Sequence, residues 1–380
     1  MGSMDELRRV LARVGELSDL DAIEDNLKMM RDAWRFKSIN RPPLTLNFPP
    51  PIKLHNYKYR EAFEDPAKML INQLEGNVYP HLMVRDDAVP SVRADYGIVV
   101  IPSAFGCRVK VPEDDMPWIT GRVLGDGRPN PDCLGEPIFD EGLPARVLET
   151  ERFFLEALED TGVHVYLADT QGPFNIAHHL MGENIFISIY RYPEELKEVL
   201  TKTAKAYIDY SRIQKEVIGE PLNEGAHGWD RRDGPSGIWM GLGGVRLCDD
   251  SAAMLSPRHF KEFCAPYNSR CLKPFDGGMW HSCGRVNHIL PTVVETEGVK
   301  AINLGNPEVH SFREVRELTY RRGICLIWKD SLKEGSDIRS FVDGFVKALD
   351  GEYRGVIFSI DVPSIKEAEK LKSIWMEAFT

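Results

Sequence analysis

The sequence has only seven cysteines, an odd number, and no two form a Cys-x-x-Cys pair. A disulfide framework is therefore not expected, and scattered thiols fit a reducing compartment. Long apolar runs are missing too: stretches such as Ile98-Val99-Val100-Ile101 fall far short of the roughly 20 residues that span a bilayer. No Lys/Arg-rich stretch stands out, and a net charge of -11 is poorly suited to neutralising nucleic-acid phosphates. No apolar leader opens the chain: Met1-Gly2-Ser3-Met4 reads as a cloning remnant, followed by charged Asp5-Glu6-Leu7-Arg8-Arg9. A cytoplasmic protein without membrane or nucleic-acid partners is expected. No Gly-x-Gly-x-x-Gly turn follows the first strand-like runs, which weighs against a dinucleotide-binding sheet.

What is present is a 380-residue chain, 43% hydrophobic and 28% charged, long enough for one large domain or two small ones. Residues 4–38 carry helical periodicity, through Leu7, Val10, Leu11, Val14 and Leu17 and then Leu27, Met30 and Trp34. Prolines at 42–43 and 49–51 bracket a strand-length run, Leu44-Thr45-Leu46-Asn47-Phe48, and prevent it from extending. Residues 60–78 return to helix, Tyr96–Ile101 can be a strand, and residues 107–145, rich in Pro, Gly and Asp, read as a long surface excursion. Helix 146–161 leads into a strand over 163–168, and a long amphipathic helix runs from Pro193 to Ile218. Four strand-then-helix units follow: 238–248 with 257–273, 277–282 with 286–297, 300–304 with 311–321, and 324–328 with 336–349. A strand over 355–360 and a helix over 363–378 close the chain.

Strands apolar on both faces and alternating with helices predict a parallel sheet. About eight of them favour a closed (β/α)8 TIM barrel within an α/β fold. The expected organisation is an N-terminal helical extension over 4–40, then a single barrel domain over 41–380 with its excursion near 107–145.

Barrel chemistry gathers at the strand C-terminal ends. Those ends supply Asp169-Thr170-Gln171, Cys248-Asp249-Asp250, His281-Ser282-Cys283, Asn303-Leu304-Gly305-Asn306, Trp328-Lys329-Asp330 and Ser359-Ile360-Asp361. A single Asp after a strand is as readily a helix cap as a functional group. Their convergence from several strands is harder to explain that way. His281-Ser282-Cys283-Gly284 is the most informative, because a side-chain period of two turns imidazole and thiolate to one face, where they can share an ion. Zinc accepts nitrogen and thiolate ligands and needs only three from protein in a catalytic site. Standing alone, His-x-Cys would more often be a hydrogen-bonded core histidine beside a small buried thiol.

Four segments resemble the uroporphyrinogen decarboxylase superfamily, which includes zinc-dependent methyltransferases serving corrinoid proteins. These are Gly172-Pro173-Phe174-Asn175-Ile176-Ala177 with Leu180-Met181-Gly182 and Tyr192-Pro193-Glu194; Asp249-Asp250 with Ser256-Pro257-Arg258-His259-Phe260 and Ala265-Pro266-Tyr267; Trp280-His281-Ser282-Cys283-Gly284; and the tail from Ala301 to Asp361. The third is similar to the zinc half-site of the methyltransferase branch. True uroporphyrinogen decarboxylases carry arginine near the first strand, where this chain has Leu44-Thr45-Leu46-Asn47-Phe48-Pro49-Pro50, so a tetrapyrrole polyacid would lack its ion-pair partners. The resemblance therefore implies a zinc-dependent methyltransferase moving a methyl group between a small methylated substrate, a methoxy-aromatic or a thiol, and the cobalt of a partner corrinoid (cobalamin) protein.

One departure matters. Thiol-coenzyme methyltransferases add a cysteine at the last strand's end, where this chain has Ser359-Ile360-Asp361. Candidates to complete His281 and Cys283 are Asp361, Asp250 or its neighbour Asp249, and Cys325, which ranks below the carboxylates because it opens its strand. Lys329, Asp330 and Asp249 are the candidate acid–base residues. Gln171, Asn303, Trp239, Trp280 and Trp328, with Glu224 and His227 from a Gly-rich loop over 223–234 read as covering the mouth, are the candidate substrate contacts. Two rival readings are a metal-free decarboxylase or lyase acting on a small carboxylic acid, with Asp249 or Asp250 as acid and His281 as base, and a non-catalytic corrinoid- or ligand-binding protein. A homodimer is the assembly to test.

Overall fold

The prolines confine the first strand, β1 (Leu44–Asn47), which pairs in parallel with the last. The structure is a computed structural model in which residues 2–125, 127–228 and 237–379 are described. Seven further parallel strands are β2 (Ser91–Arg93), β3 (His164–Tyr166), β4 (Val245–Cys248), β5 (Gly278–Ser282), β6 (Val299–Leu304), β7 (Cys325–Ser331) and β8 (Val356–Asp361). Six of the eight run β1-β8-β7-β6-β5-β4 in one sheet, and β2 pairs with β3. Asp87 N–H donates to the Leu44 carbonyl (3.0 Å) and Leu46 N–H to Asp86 Oδ2 (2.6 Å), tying β1 to the approach to β2. On the other side, Arg246 of β4 meets Asp169, just beyond β3. This is the (β/α)8 TIM-barrel architecture, with helices α1 (Ser3–Leu17) and α2 (Leu20–Trp34) ahead of it.

Two apolar cores follow from strands buried on both faces. The outer one lies between strands and helices. The inner one joins Met279, Ala301, Cys325 and Ile357, near the strand starts, to Met30, Ala33 and Trp34 of α2 and to the antiparallel pair Gly225–His227/Ile238–Met240. Helix α2 and that hairpin therefore close the barrel base, leaving the strand C-terminal ends as the polar mouth. Asp19 caps α2 by accepting from Ala22 N–H (3.2 Å). No described helix is long and apolar enough to cross a membrane.

Several expected elements differ, and the helices expected over 60–78 and 257–273 break at Asp65 and Cys264. Tyr96–Ile101 is not a strand but a 3-10 turn (Gly97–Val99) running into helix Val100–Ala104, because Gly97 takes φ +67° and breaks the extended path. The strand expected over 238–248 splits at Gly243 (φ +90°), where any Cβ would collide with the Gly277–Gly278 backbone. Between β5 and β6 the helix shrinks to Leu290–Val293. The loop over 223–234 lies only partly within the described residues. Its described part enters the basal hairpin rather than covering the mouth, and residues 229–234 fall outside.

Candidate metal centre

Strand β4 ends on Cys248 and runs into Asp249-Asp250, and β5 carries His281 just before Cys283. Parallel register sets Cys248 beside His281. The two-residue period then turns Arg246 and Cys248, and Met279 and His281, into the barrel. As a result the Cys248 thiol, an Asp250 carboxylate oxygen and a His281 ring nitrogen all lie within 4.8 Å of one another. Cys283 stands against them: its Sγ is 3.5 Å from His281 Nε2, and its N–H donates to Asp250 Oδ1 (2.6 Å). His281 and Cys248 are each 2% exposed, whereas the Asp250 side chain is 43% exposed, so the cluster opens on the carboxylate side.

The surroundings set the tautomer and protonation state of the donors. Asn303 donates through Nδ2 to the Ile327 carbonyl (3.0 Å), so its Oδ1 must accept from His281 Nδ1–H (2.7 Å), leaving the Nε2 lone pair toward Asp250 and Cys283. Burial, then the Arg246 charge, pushes the His281 pKa down to about 4, so the ring is neutral near pH 7. Burial and the neighbouring Asp250 push the Cys248 thiol well up, so a thiolate there needs a cation beside it. Sulfur, imidazole nitrogen and carboxylate oxygen at this spacing are a donor set that zinc accepts.

The helix Pro173–Met181 (α3) buttresses this corner. Its Asn175 points Nδ2 at Cys248 Sγ (3.8 Å) and accepts from Ser251 N–H (3.0 Å). At Gly172, immediately before α3, a Cβ would stand 2.7 Å from Asp249 Oδ1 and 2.8 Å from the Cys248 carbonyl. The Gly-Pro-Phe-Asn motif thus lets α3 approach the ligand strand.

Residues 52–218 match the family described as Uroporphyrinogen decarboxylase (URO-D). A methyltransferase from Methanosarcina mazei has a similar fold: the match covers 93% of this chain and 99% of that one at a TM-score of 0.66 and 15% identity. The segment 52–218 is thus similar to the uroporphyrinogen decarboxylase family, and the barrel fold to that of the methyltransferase. Among curated protein sequences, none matches. The sequence match to the superfamily stops at residue 218, before Cys248, Asp250, His281 and Cys283, so those residues stand on their own geometry.

Of the residues expected in the site, the structure gathers His281, Cys283 and Asp250 and adds Cys248, whose strand-end position is visible in the sequence but whose place in the cluster is not. Asp249 turns the other way, accepting at Oδ2 from Asn268 Nδ2 (2.5 Å) and Trp280 Nε1 (3.0 Å), and burial pushes its pKa up to about 6. Asp361 sits across the mouth, 3.4 Å from Lys329 Nζ and accepting from Asn47 Nδ2 (3.0 Å). Cys325 lies low in the inner core, fully buried, its thiol pushed up by desolvation.

Lys329 faces the lumen, but Asp330 is turned aside and accepts from Trp328 Nε1 (3.1 Å). Trp280 and Trp328 alternate with His281 and Lys329, so they point outward, against Phe260 and Phe312. Gln171 donates to Asp169 Oδ1 from N–H (3.0 Å) and Nε2 (2.7 Å). Glu224 and Trp239 belong to the base: Glu224 pairs with Arg31 (2.8 Å) and Arg35 and accepts from Trp239 Nε1 (3.1 Å). His227 packs edge-on to Tyr166 at 5.3 Å.

Two arginines inside the barrel escaped the sequence reading. Asp169 Oδ2 lies 3.3 Å from Arg246 and 3.8 Å from Arg93, and Arg93 also meets Asp95 at 3.0 Å. Burial alone would raise the Asp169 carboxyl, but Arg246 and Arg93 hold it below its ordinary value. The signal was an arginine at an inward position of a short apolar run, Val92-Arg93 and Val245-Arg246-Leu247. A cleft of about 380 Å³ lined by Tyr57, Tyr59, Glu75 and Asp95 lies beside the β1–β2 side and contains none of the four donors.

Proposed function

We propose that this chain is a zinc-dependent methyltransferase that moves a methyl group between a small methylated substrate and the cobalt of a partner corrinoid protein. The observation that carries the reading is the convergence of Cys248, Asp250 and His281 within 4.8 Å, with Cys283 beside His281. Three of these four would hold zinc and leave a fourth position to the substrate, and the ion when bound would supply Lewis acidity to the sulfur or oxygen that gains or loses the methyl group. His281 presents Nε2 because Asn303 occupies Nδ1–H. Lys329, held 3.4 Å from Asp361 across the mouth, is the group suited to keep or deliver a proton at the substrate heteroatom. The apolar outer shell limits water at the buried thiol and imidazole and strengthens each charge interaction there.

The test is zinc content and turnover together. About one zinc per chain, lost with Cys248→Ala/His281→Ala, and methylcobalamin formation from cob(I)alamin and a methylated donor are expected. A fully active metal-free protein would sink the reading. A second reading, decarboxylation of a small carboxylic acid without metal, draws on the lumenal guanidiniums of Arg93 and Arg246, each side chain 8% exposed. Carbon dioxide release that survives chelation but fails in Arg246→Gln would favour it.

A further inference from the structure

Strand β6 and the turn after it contribute no donor to the cluster, yet Asn303, Gly305 and Asn306 shape it. Asn303 is registered between His281 on β5 and Ile327 on β7, and it bonds to both. Gly305 follows, its N–H donating to the Ser282 carbonyl (3.1 Å). A Cβ on Gly305 would lie 2.6 Å from Cys283 Sγ and 3.4 Å from His281 Cε1. Gly305 is not among the glycines with positive φ, so space rather than backbone conformation excludes a side chain there. Asn306 Oδ1 then accepts from Gly284 N–H (2.8 Å), fixing the turn that carries Cys283.

We infer that Asn303 and Gly305 are positioning residues: Asn303 fixes the His281 tautomer, and Gly305 provides the notch in which the Cys283 thiol sits beside His281 Nε2. The inference rests on the metal reading above, and it explains why the end of β6 and the turn after it read Asn-x-Gly-Asn beside the His-x-Cys strand. A larger residue at 305 would push the thiol out toward the mouth. Without an acceptor at 303, the imidazole is free to put its proton on Nε2 and lose its lone pair for a ligand.

Two readouts need no metal. In metal-free protein, Gly305→Ala is expected to speed alkylation of Cys283 by iodoacetamide several-fold, followed by peptide mass spectrometry. Nitrogen-15 spectra of the His281 ring should show a protonated Nδ1 in wild type and in Asn303→Asp, which keeps an acceptor, but a tautomer mixture in Asn303→Leu. With zinc, chelator competition should show Asn303→Leu and Gly305→Ala each binding about 10- to 100-fold more weakly. In a Cys283→Ala background, Gly305→Ala should cost nothing further. Unchanged alkylation and affinity, an equal loss without Cys283, or unfolding of Gly305→Ala in both backgrounds would overturn the role of Gly305. An unchanged tautomer in Asn303→Leu, or its loss in Asn303→Asp, would overturn that of Asn303. Wild type that binds no zinc would remove the metal reading only, since alkylation and ring spectra still decide the inference.

Discussion

The adjacent acids Asp249 and Asp250 have opposite fates, and the difference is directional. Asp250 faces the thiol and imidazole of the cluster, whereas Asp249 is 0% exposed behind it, bonded to Asn268 and Trp280. Its folded pKa of about 6 stands above the ordinary 3.8, so the folded state binds the proton more tightly. The stability linked to that proton is complete below about pH 4 and declines as pH rises toward about 6. Asp249→Asn can still accept both bonds. It should match wild type in urea unfolding near pH 4 and exceed it by about 1–3 kcal/mol at pH 8. An equal gap at both pH values would show that ionisation of Asp249 is not what burial penalises.

Among elements, helix α2 has a defined task. Arg31 and Arg35 reach Glu224 at the start of the basal hairpin, and Met30, Ala33 and Trp34 fill the space under the strand starts. Glu224→Ala should lower stability by about 1–2 kcal/mol, because Trp239 Nε1 and two guanidiniums lose their acceptor. Earlier proteolytic cutting near α2, with zinc affinity unchanged, is the measurement to make. Element reading from sequence worked where periodicity was long: Pro193–Ile218 matches its expected bounds, and the tail from β6 to the last helix follows its predicted order. It failed at Tyr96–Ile101, where six mostly apolar residues satisfy a buried strand and a buried turn equally and one glycine decides.

For the whole molecule, zinc that binds only the folded chain must raise its stability by mass action. At a free concentration about 1,000 times Kd the gain is about 4 kcal/mol. Thermal unfolding of wild type should therefore shift upward with added zinc, and Cys248→Ala/His281→Ala should not respond. A shift retained in that variant would place the ion elsewhere. Because the cluster joins β4 to β5, chelation should also loosen that side first, read as faster amide exchange in β4 and β5 than in β7 and β8.

Alternation of apolar strands with amphipathic helices determined the barrel, and His-x-Cys determined that two donors share a face, since both are local periodicities that a chain carries in its order. The remaining partners of that pair were beyond local reasoning. Asp361 and Asp250 were equally good carboxylates on paper. Strand register brings Cys248 level with His281, while β8 carries Asp361 to Lys329 and Asn47 on the opposite rim. Likewise, the lack of arginine on β1 said nothing about Arg93 and Arg246, which reach the lumen from β2 and β4. Which side chains meet inside a closed barrel depends on register and pleat across strands far apart in sequence, and only the tertiary structure supplies both.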